Sequence, residues 1–207
     1  AVELIGKGVI LPNANGLILP FKAVSLNAID VKVLKIFEKN VPQFLQMSNL
    51  DGQEELRRVG KIILKKNIPL AQKSSADYDK WNNYFLDLSE LIKTEPGAIY
   101  RVMISFKKQY STYHCNDSSG SNNTTYQTLQ KLNDENEEGD WDYYGSYYYE
   151  GNEDGEEYDY KQRDNPCHSS YYYGKTATRN VLASDLGMIA KRGTDGSMCF
   201  IVTNLIT

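Results

Sequence analysis

Histidine, cysteine and long apolar runs are all scarce in this chain, which has 2 His and 3 Cys among 207 residues. No stretch approaches the run of about 18 apolar residues that marks a membrane-spanning helix. The opening AVELIGKGVILP has neither a basic n-region nor a long apolar h-region, so no signal peptide is read there. Glycine-rich phosphate loops, a strand-to-helix nucleophile elbow, paired catalytic acids and base-stacking motifs are also missing. With no such motif, no catalytic residue, no cofactor and no enzymatic activity are expected. An odd count of cysteines in a chain of this length also excludes a small fold stapled by disulfides.

The charge balance excludes one partner class. The formal net charge is -4, from 23 Lys+Arg and 27 Asp+Glu, but it is unevenly placed. Between Asn133 and Asn165 lie 13 acidic residues, opposed only by Lys161 and Arg163. Taking these 13 acids from 27 and 2 bases from 23 leaves 14 acidic and 21 basic residues, about +7 for the rest of the chain. The acidic segment can be attracted to its own domain, and no continuous basic face for nucleic acid is indicated. Membrane contact by this piece is not expected either.

What is present is strand signal and tyrosine. Hydrophobic residues make up 41% of the chain and charged residues 24%, ordinary for a globular protein, whereas 16 Tyr is a high count. GVILP and GLILPFKAVSL are short β-rich runs punctuated by Pro, Gly and Asn. In AIDVKVLKIFE, Ile29, Val31, Val33 and, after a slip at Leu34, Ile36 are expected to share one face. RVGKIILKKNIPL reads as a further strand. In AIYRVMISF, Tyr100, Val102, Ile104 and Phe106 form an apolar face, with a mixed face of Ile99, Arg101, Met103 and Ser105 behind it. GMIAKRGTDGSMCFIVTNLIT reads as a hairpin around Arg192-Gly193-Thr194-Asp195-Gly196. Helix is confined to single turns near Phe44 to Met47 and Glu54 to Arg57, and to a turn for which Ser89 is the expected N-cap.

About seven such runs separated by turns predict an all-β fold, an antiparallel immunoglobulin- or fibronectin-like sandwich. Residues 116–125 and 133–165 are polar and low in complexity, so 116–165 is expected to be an acidic, Tyr-rich insertion in a sandwich spanning 1–184. Residues 185–207 would then form a terminal hairpin. The ending FIVTNLIT stops within an apolar run, so the chain is expected to be cut from a longer polypeptide.

The residues with chemical potential cluster at the neck of the insertion. Cys115 and Cys167 bracket it, a placement that suits a disulfide, and three reduced thiols are the alternative. Cys199 sits in the apolar run SMCFIVT and is expected to be a small buried hydrophobe. His114 and His168 adjoin the bracketing cysteines, which makes a Cys2His2 zinc site and a Cys-His nucleophile pair conceivable on paper. Adjacent Cys-His is poor zinc-ligand spacing, and the nucleophile pair has no oxyanion loop. No metal is therefore expected. Two calcium-loop registers, from Asp134 and from Glu150, fail at the closing position, where Gly145 and Lys161 stand in place of Glu. Tyr143, Tyr144, Tyr147, Tyr148, Tyr149, Tyr158 and Tyr160 suit either a recognition loop or a cover over the sandwich face.

Two longer stretches carry a family resemblance. GKGVILPNANGLILPFKAVSLNAIDVKVLKIFEKNVPQFLQ with EPGAIYRVMISF, and RNVLASDLGMIAKRGTDGSMCFIVTNLIT, resemble the N-terminal half of bacterial alpha-2-macroglobulins, especially those of Bacteroides-type bacteria. The more specific pattern is Ala183-Ser184-Asp185-Leu186-Gly187 followed by an Ala-Lys-Arg strand, a Gly-containing turn and a Val-Thr-Asn strand. The resemblance implies a macroglobulin-like sandwich within a large, lipid-anchored envelope protein of the periplasm or outer envelope, one that entraps endopeptidases. The implied partners are neighbouring macroglobulin-like domains, the first of which 185–207 would open, and the target proteases. No functional residue carries over. The family's thioester begins Cys-x-x-Gln, whereas Cys115, Cys167 and Cys199 are followed by Asn-Asp-Ser, His-Ser-Ser and Phe-Ile-Val. The implied function is a non-catalytic scaffold module. The alternative is an adhesion module that uses the Tyr/acidic loop against a protein or glycan.

Overall fold

The computed structural model describes residues 1–12, 16–53, 56–70, 79–115 and 158–205. Among them two sheets face each other. The smaller has the order β1-β3-β6, built from Val2–Leu4, Ile18–Ala23 and Asn82–Asp87. The larger has the order β2-β8-β7-β4-β5, from Ile10–Leu11, Thr176–Ala183, Ile99–Ser105, Ala28–Ile36 and Gly60–Pro69. All pairings within these sheets are antiparallel except β2 with β8, a short parallel edge.

Alternation along the strands builds the core between the layers. Leu19, Phe21 and Ala23 of β3 meet Val31 and Val33 of β4 and Tyr100, Val102 and Ile104 of β7 in one cluster. The β-branched and aromatic side chains suit a pleated surface and leave water together, at about 25 cal/mol per Å² of apolar area.

The central strands depart from the one-sided pattern expected of them. Leu34 and Ile36 of β4, with Ile99 and Met103 of β7, form a second buried cluster on the outer face of the large sheet. Ile36 therefore does not share a face with Val33. The register between β4 and β5 shifts at Val33/Leu34, but the pairing of β4 with β7 runs unbroken, so alternation continues and places Leu34 and Ile36 outward. Two short helices cover that face, α1 (Val41–Met47) and α2 (Leu56–Val59), with Phe44, Leu56 and Val59 fully buried.

Helix α1 starts three residues before the expected turn because a proline occupies its first turn, where its fixed φ suits the helix and no N–H partner is needed. The Asn40 side chain, at the α1 N-cap, donates to the Val59 carbonyl at 2.9 Å and ties the two helices together. Gly60 follows directly, and a Cβ there would lie 2.6 Å from Leu34 Cδ2 and 2.7 Å from the Lys35 carbonyl. Only glycine lets β5 start so close to β4. The turn after β6 is capped by Asp87, whose carboxylate accepts from the Ser89 N–H at 2.9 Å, so the cap lies two residues before the expected Ser89. A two-residue link, Ser184-Asp185, then joins β8 to a separate antiparallel ribbon of β9 (Leu186–Arg192) and β10 (Met198–Asn204).

Candidate functional site

Three places in the described structure could carry function, and each is built from local sequence. The first is the neck of the 116–157 segment. Cys115 and Cys167 are joined, with a Cα–Cα distance of 5.6 Å. Their sulfurs are bonded to each other, so neither is free as a thiolate for zinc or for nucleophilic attack. His114 is exposed. His168 is half-buried and caps a 3-10 turn (Ser169–Tyr171), its Nδ1 accepting from the Ser170 N–H at 3.1 Å. The two histidines are structural neighbours of a disulfide, and among the described residues no group of three or more His, Cys, Asp or Glu is placed to hold a metal.

Aromatic rings pack the neck from within. Tyr172 donates to the Pro166 carbonyl at 2.6 Å and meets Phe106 edge-on at 5.8 Å. Burial raises its phenol pKa above the ordinary value, opposed by a hydrogen bond with Ser111. The Lys175 ammonium lies 3.1 Å from the Tyr171 ring centroid, and burial lowers its pKa. Beside these rings is a cavity of about 190 Å³, lined in part by Val24, Leu26, Tyr113, Tyr171 and Tyr172. Ala1 also lines it, and its terminal ammonium donates to the Val24 carbonyl at 2.8 Å.

Of the seven tyrosines that suggested a loop, only Tyr158 and Tyr160 are among the described residues. Both are exposed: Tyr158 stacks at a tilt on Tyr173, and Tyr160 lies beneath the Arg163 guanidinium. The other five, and most of both calcium registers, lie outside the described residues.

The second place is a polar knot on the outer face of the large sheet. Arg101 and Asn180 are buried side by side on β7 and β8, with Arg101 donating to Asn180 Oδ1 at 3.0 Å. Asn180 Nδ2 also donates to the carbonyls of Leu50 and Gly52, at 2.9 and 2.7 Å. Arg101 reaches Gly52 O and Gln53 Oε1, both at 3.3 Å. The knot pins the segment between the two helices to the sheet. An open depression of about 690 Å³ is lined by residues of this segment, among them Met47, Asn49, Asp51 and Gln53. The one available signal was a charged residue inside the apolar strand AIYRVMISF.

The third place is the β9–β10 ribbon, whose apolar residues face solvent. Met188 and Phe200 are 65% and 58% exposed, and Cys199 is an exposed free thiol. This corrects the expectation of a buried Cys199. The run SMCFIVT is a strand, but no second layer covers it among the described residues.

None of these places holds a catalytic constellation, so the fold carries the comparison with other proteins. No protein-family model matches the chain, and no curated protein matches it. Two solved structures of native alpha-2-macroglobulin from Escherichia coli share its fold. One spans domains NIE-MG1, with a TM-score of 0.51 and 13% identity over 100% of this chain and 70% of that one. The other spans domains MG0-NIE-MG1, with a TM-score of 0.50 and 13% identity over 100% of this chain and 45% of that one. The chain has a macroglobulin-like β-sandwich fold. At this identity the likeness extends to the fold, and both neighbours are multidomain chains longer than the part matched.

Proposed function

We propose that this chain is a non-catalytic scaffold module of a large bacterial envelope protein of the alpha-2-macroglobulin type, which inhibits endopeptidases by entrapment. One observation carries the reading: the whole chain follows the fold of a region of Escherichia coli alpha-2-macroglobulin. The motifs quoted above, from GKGVILP to VTNLIT, support the same family and its Bacteroides-type members. A disulfide between Cys115 and Cys167 supports an extracytoplasmic location, since such bonds persist in oxidising compartments. Anchorage by a lipid on the parent protein is part of the same proposal. The module's partners are its neighbouring domains and, through the intact protein, the target proteases. Its role is mechanical: two packed layers hold the chain's entry and exit in a defined relation.

The test compares the 207-residue chain with the intact polypeptide. Several broad-specificity endopeptidases are assayed on a protein substrate with each in excess. The isolated chain leaves all activities unchanged, while the intact polypeptide suppresses them. Stoichiometric inhibition by the isolated chain, or none by the intact polypeptide, overturns the proposal.

A further inference from the structure

The two sheets of the sandwich differ on their outer faces. Helices α1 and α2 seal that of the large sheet, whereas that of the small sheet carries exposed rings. Alternation sets this up. Leu19 and Phe21 of β3 and Leu86 of β6 point into the core, so Ile18, Pro20 and Lys22 point outward, with Asn83 and Phe85 beside them. Trp81, just before β6, continues the outward row. Phe85 is 73% exposed, and Trp81 and Ile18 are each 43% exposed. Large apolar groups gathered this openly on one sheet face mark an interaction surface. The polar groups among them are ordered. Glu3 on β1 holds Lys22 Nζ at 2.8 Å, and that ammonium lies 4.7 Å from the Trp81 ring centroid, which orients the indole. Register puts Pro20 opposite Phe85, and Lys22 between Glu3 and Asn83. Two apolar stations result, Phe85 with Pro20 and Ile18 at one end and Trp81 at the other. Lys22, Glu3 and Asn83 form a polar station between them. Trp81 and Phe85 are four positions apart, about 13 Å of strand.

The chemistry of this face separates the occupants it could take. A folded protein, including a second copy of the chain, needs more room. Three strands about 4.8 Å apart, six residues long at about 3.4 Å each, present roughly 300 Å². That is well below the roughly 800 Å² per partner of a stable interface. An anionic membrane needs a basic surface, but Lys22 is paired with Glu3, and Asp87 adds a second carboxylate opposite Ile18. An extended peptide would lay its backbone N–H and C=O groups over the rings. The backbone of the sheet is already spent on its own ladder, so most of those groups would lose water and gain no partner. A neutral glycan meets none of these objections. The C–H face of a pyranose rests on the electron-rich face of an aromatic ring, and the hydroxyls at its rim stay in water or meet the polar station.

We propose that the outer face of the small sheet binds a neutral glycan chain lying flat along β6, with sugar rings stacked on Trp81 and Phe85. Lys22 donates to hydroxyls of the intervening sugar, Glu3 accepts from them, and Asn83 does both. The face shares no residue with 116–165, and glycan binding there is independent of the scaffold role.

The experiment runs the 207-residue chain through native gels that contain a mixed-linkage β-glucan, a mannan or a galactan. Oligosaccharides cut from any polymer that retards it are then titrated calorimetrically. Retardation by at least one polymer is expected. Trp81→Ala and Phe85→Ala are each expected to weaken the oligosaccharide Kd by about tenfold, and the double variant to abolish retardation, with the thermal melt unchanged. Should a ring variant fail to fold, Asn83→Ala carries the test through the polar station, where weaker binding is expected. No retardation by any of the polymers overturns the proposal. So does binding that the ring variants, or Asn83→Ala in their place, leave unchanged. Ring-dependent binding of a polyproline peptide or of phosphatidylglycerol vesicles in place of the glycans overturns it as well.

Discussion

Strand β7 and the β9–β10 ribbon are written in nearly the same alphabet and end in opposite environments. IYRVMIS is buried on both faces, with Tyr100, Val102 and Ile104 in one core and Ile99 and Met103 in the other. In the ribbon, MCFIVTN is exposed throughout. The difference lies in what the rest of the chain brings to each. β7 sits between β8 and β4, beneath a second sheet on one side and two helices on the other. The ribbon pairs only with itself among the described residues. Apolar alternation specifies a strand, and its neighbours decide whether that strand becomes core.

The largest test of this contrast places one charge in each region. Val102→Asp buries an uncompensated carboxylate at a position 0% exposed, a class of change that costs more than about 4 kcal/mol. It is expected to abolish the cooperative melt seen by circular dichroism. Phe200→Asp in the 207-residue chain is expected to leave the melting temperature within about 2 °C of the parent, because an exposed position gives up no packing. Comparable losses from both would show that the ribbon is covered within this chain.

Next in size is the cover on the outer face of the large sheet. Phe44→Ala empties a buried site between α1 and the sheet and is expected to cost about 3–5 kcal/mol in a denaturant titration. A loss under about 1 kcal/mol would mean that the helices lie on the sheet without sealing it.

The neck disulfide comes third. It closes a loop with a sequence separation of 52, worth about 4 kcal/mol in the chain-entropy model, with measured values often smaller. Cys115→Ala with Cys167→Ala should therefore lower stability by roughly 2–4 kcal/mol and leave the strand spectrum intact. Peptides with both cysteines free, in a non-reducing digest of the protein, would remove the basis for this prediction.

The smallest effect sits in the ribbon's turn. Asp195 accepts from Ser197 Oγ at 2.6 Å and from the Ser197 N–H at 3.0 Å, which lowers its pKa from the ordinary carboxyl value. A depressed carboxyl pKa means that these contacts are fully present above the unfolded value and are lost as pH falls through the folded one. The Ser197 amide shift is thus expected to titrate with a midpoint below that of an ordinary aspartate. A midpoint above that would mean that Asp195 does not brace the turn.

Much of the frame was legible from alternation and punctuation. Tyr100, Val102 and Ile104 read as a core face because every second residue is apolar, and Asp195-Gly196 marked the hairpin turn that joins β9 to β10. The second core was not legible. Arg101 interrupts the outer face of β7 and made it look mixed, yet its guanidinium is held by Asn180, Gly52 and Gln53, residues remote in sequence. Polar groups enter a core when distant partners satisfy them, and short-range pattern does not reveal those partners. Cys199 failed for the converse reason: its neighbours in sequence are apolar, but nothing in space covers them among the described residues.

By itself the sequence marked most of the strands and turns, since these depend on residue types a few positions apart: β-branched and aromatic alternation, Pro, and Asp-Gly. Strands β1, β6 and β8, which lack a clear alternation, were not marked, and the β6 stretch reads as no more than a capped turn. It also determined that no recognised catalytic or thioester motif is present. The tertiary structure decided which faces are buried, that β4 and β7 serve two cores, that Cys115 meets Cys167 while Cys199 remains free, and that no other described element covers the ribbon. Burial, cross-strand pairing and disulfide formation join residues tens of positions apart, and only the folded chain sets those distances.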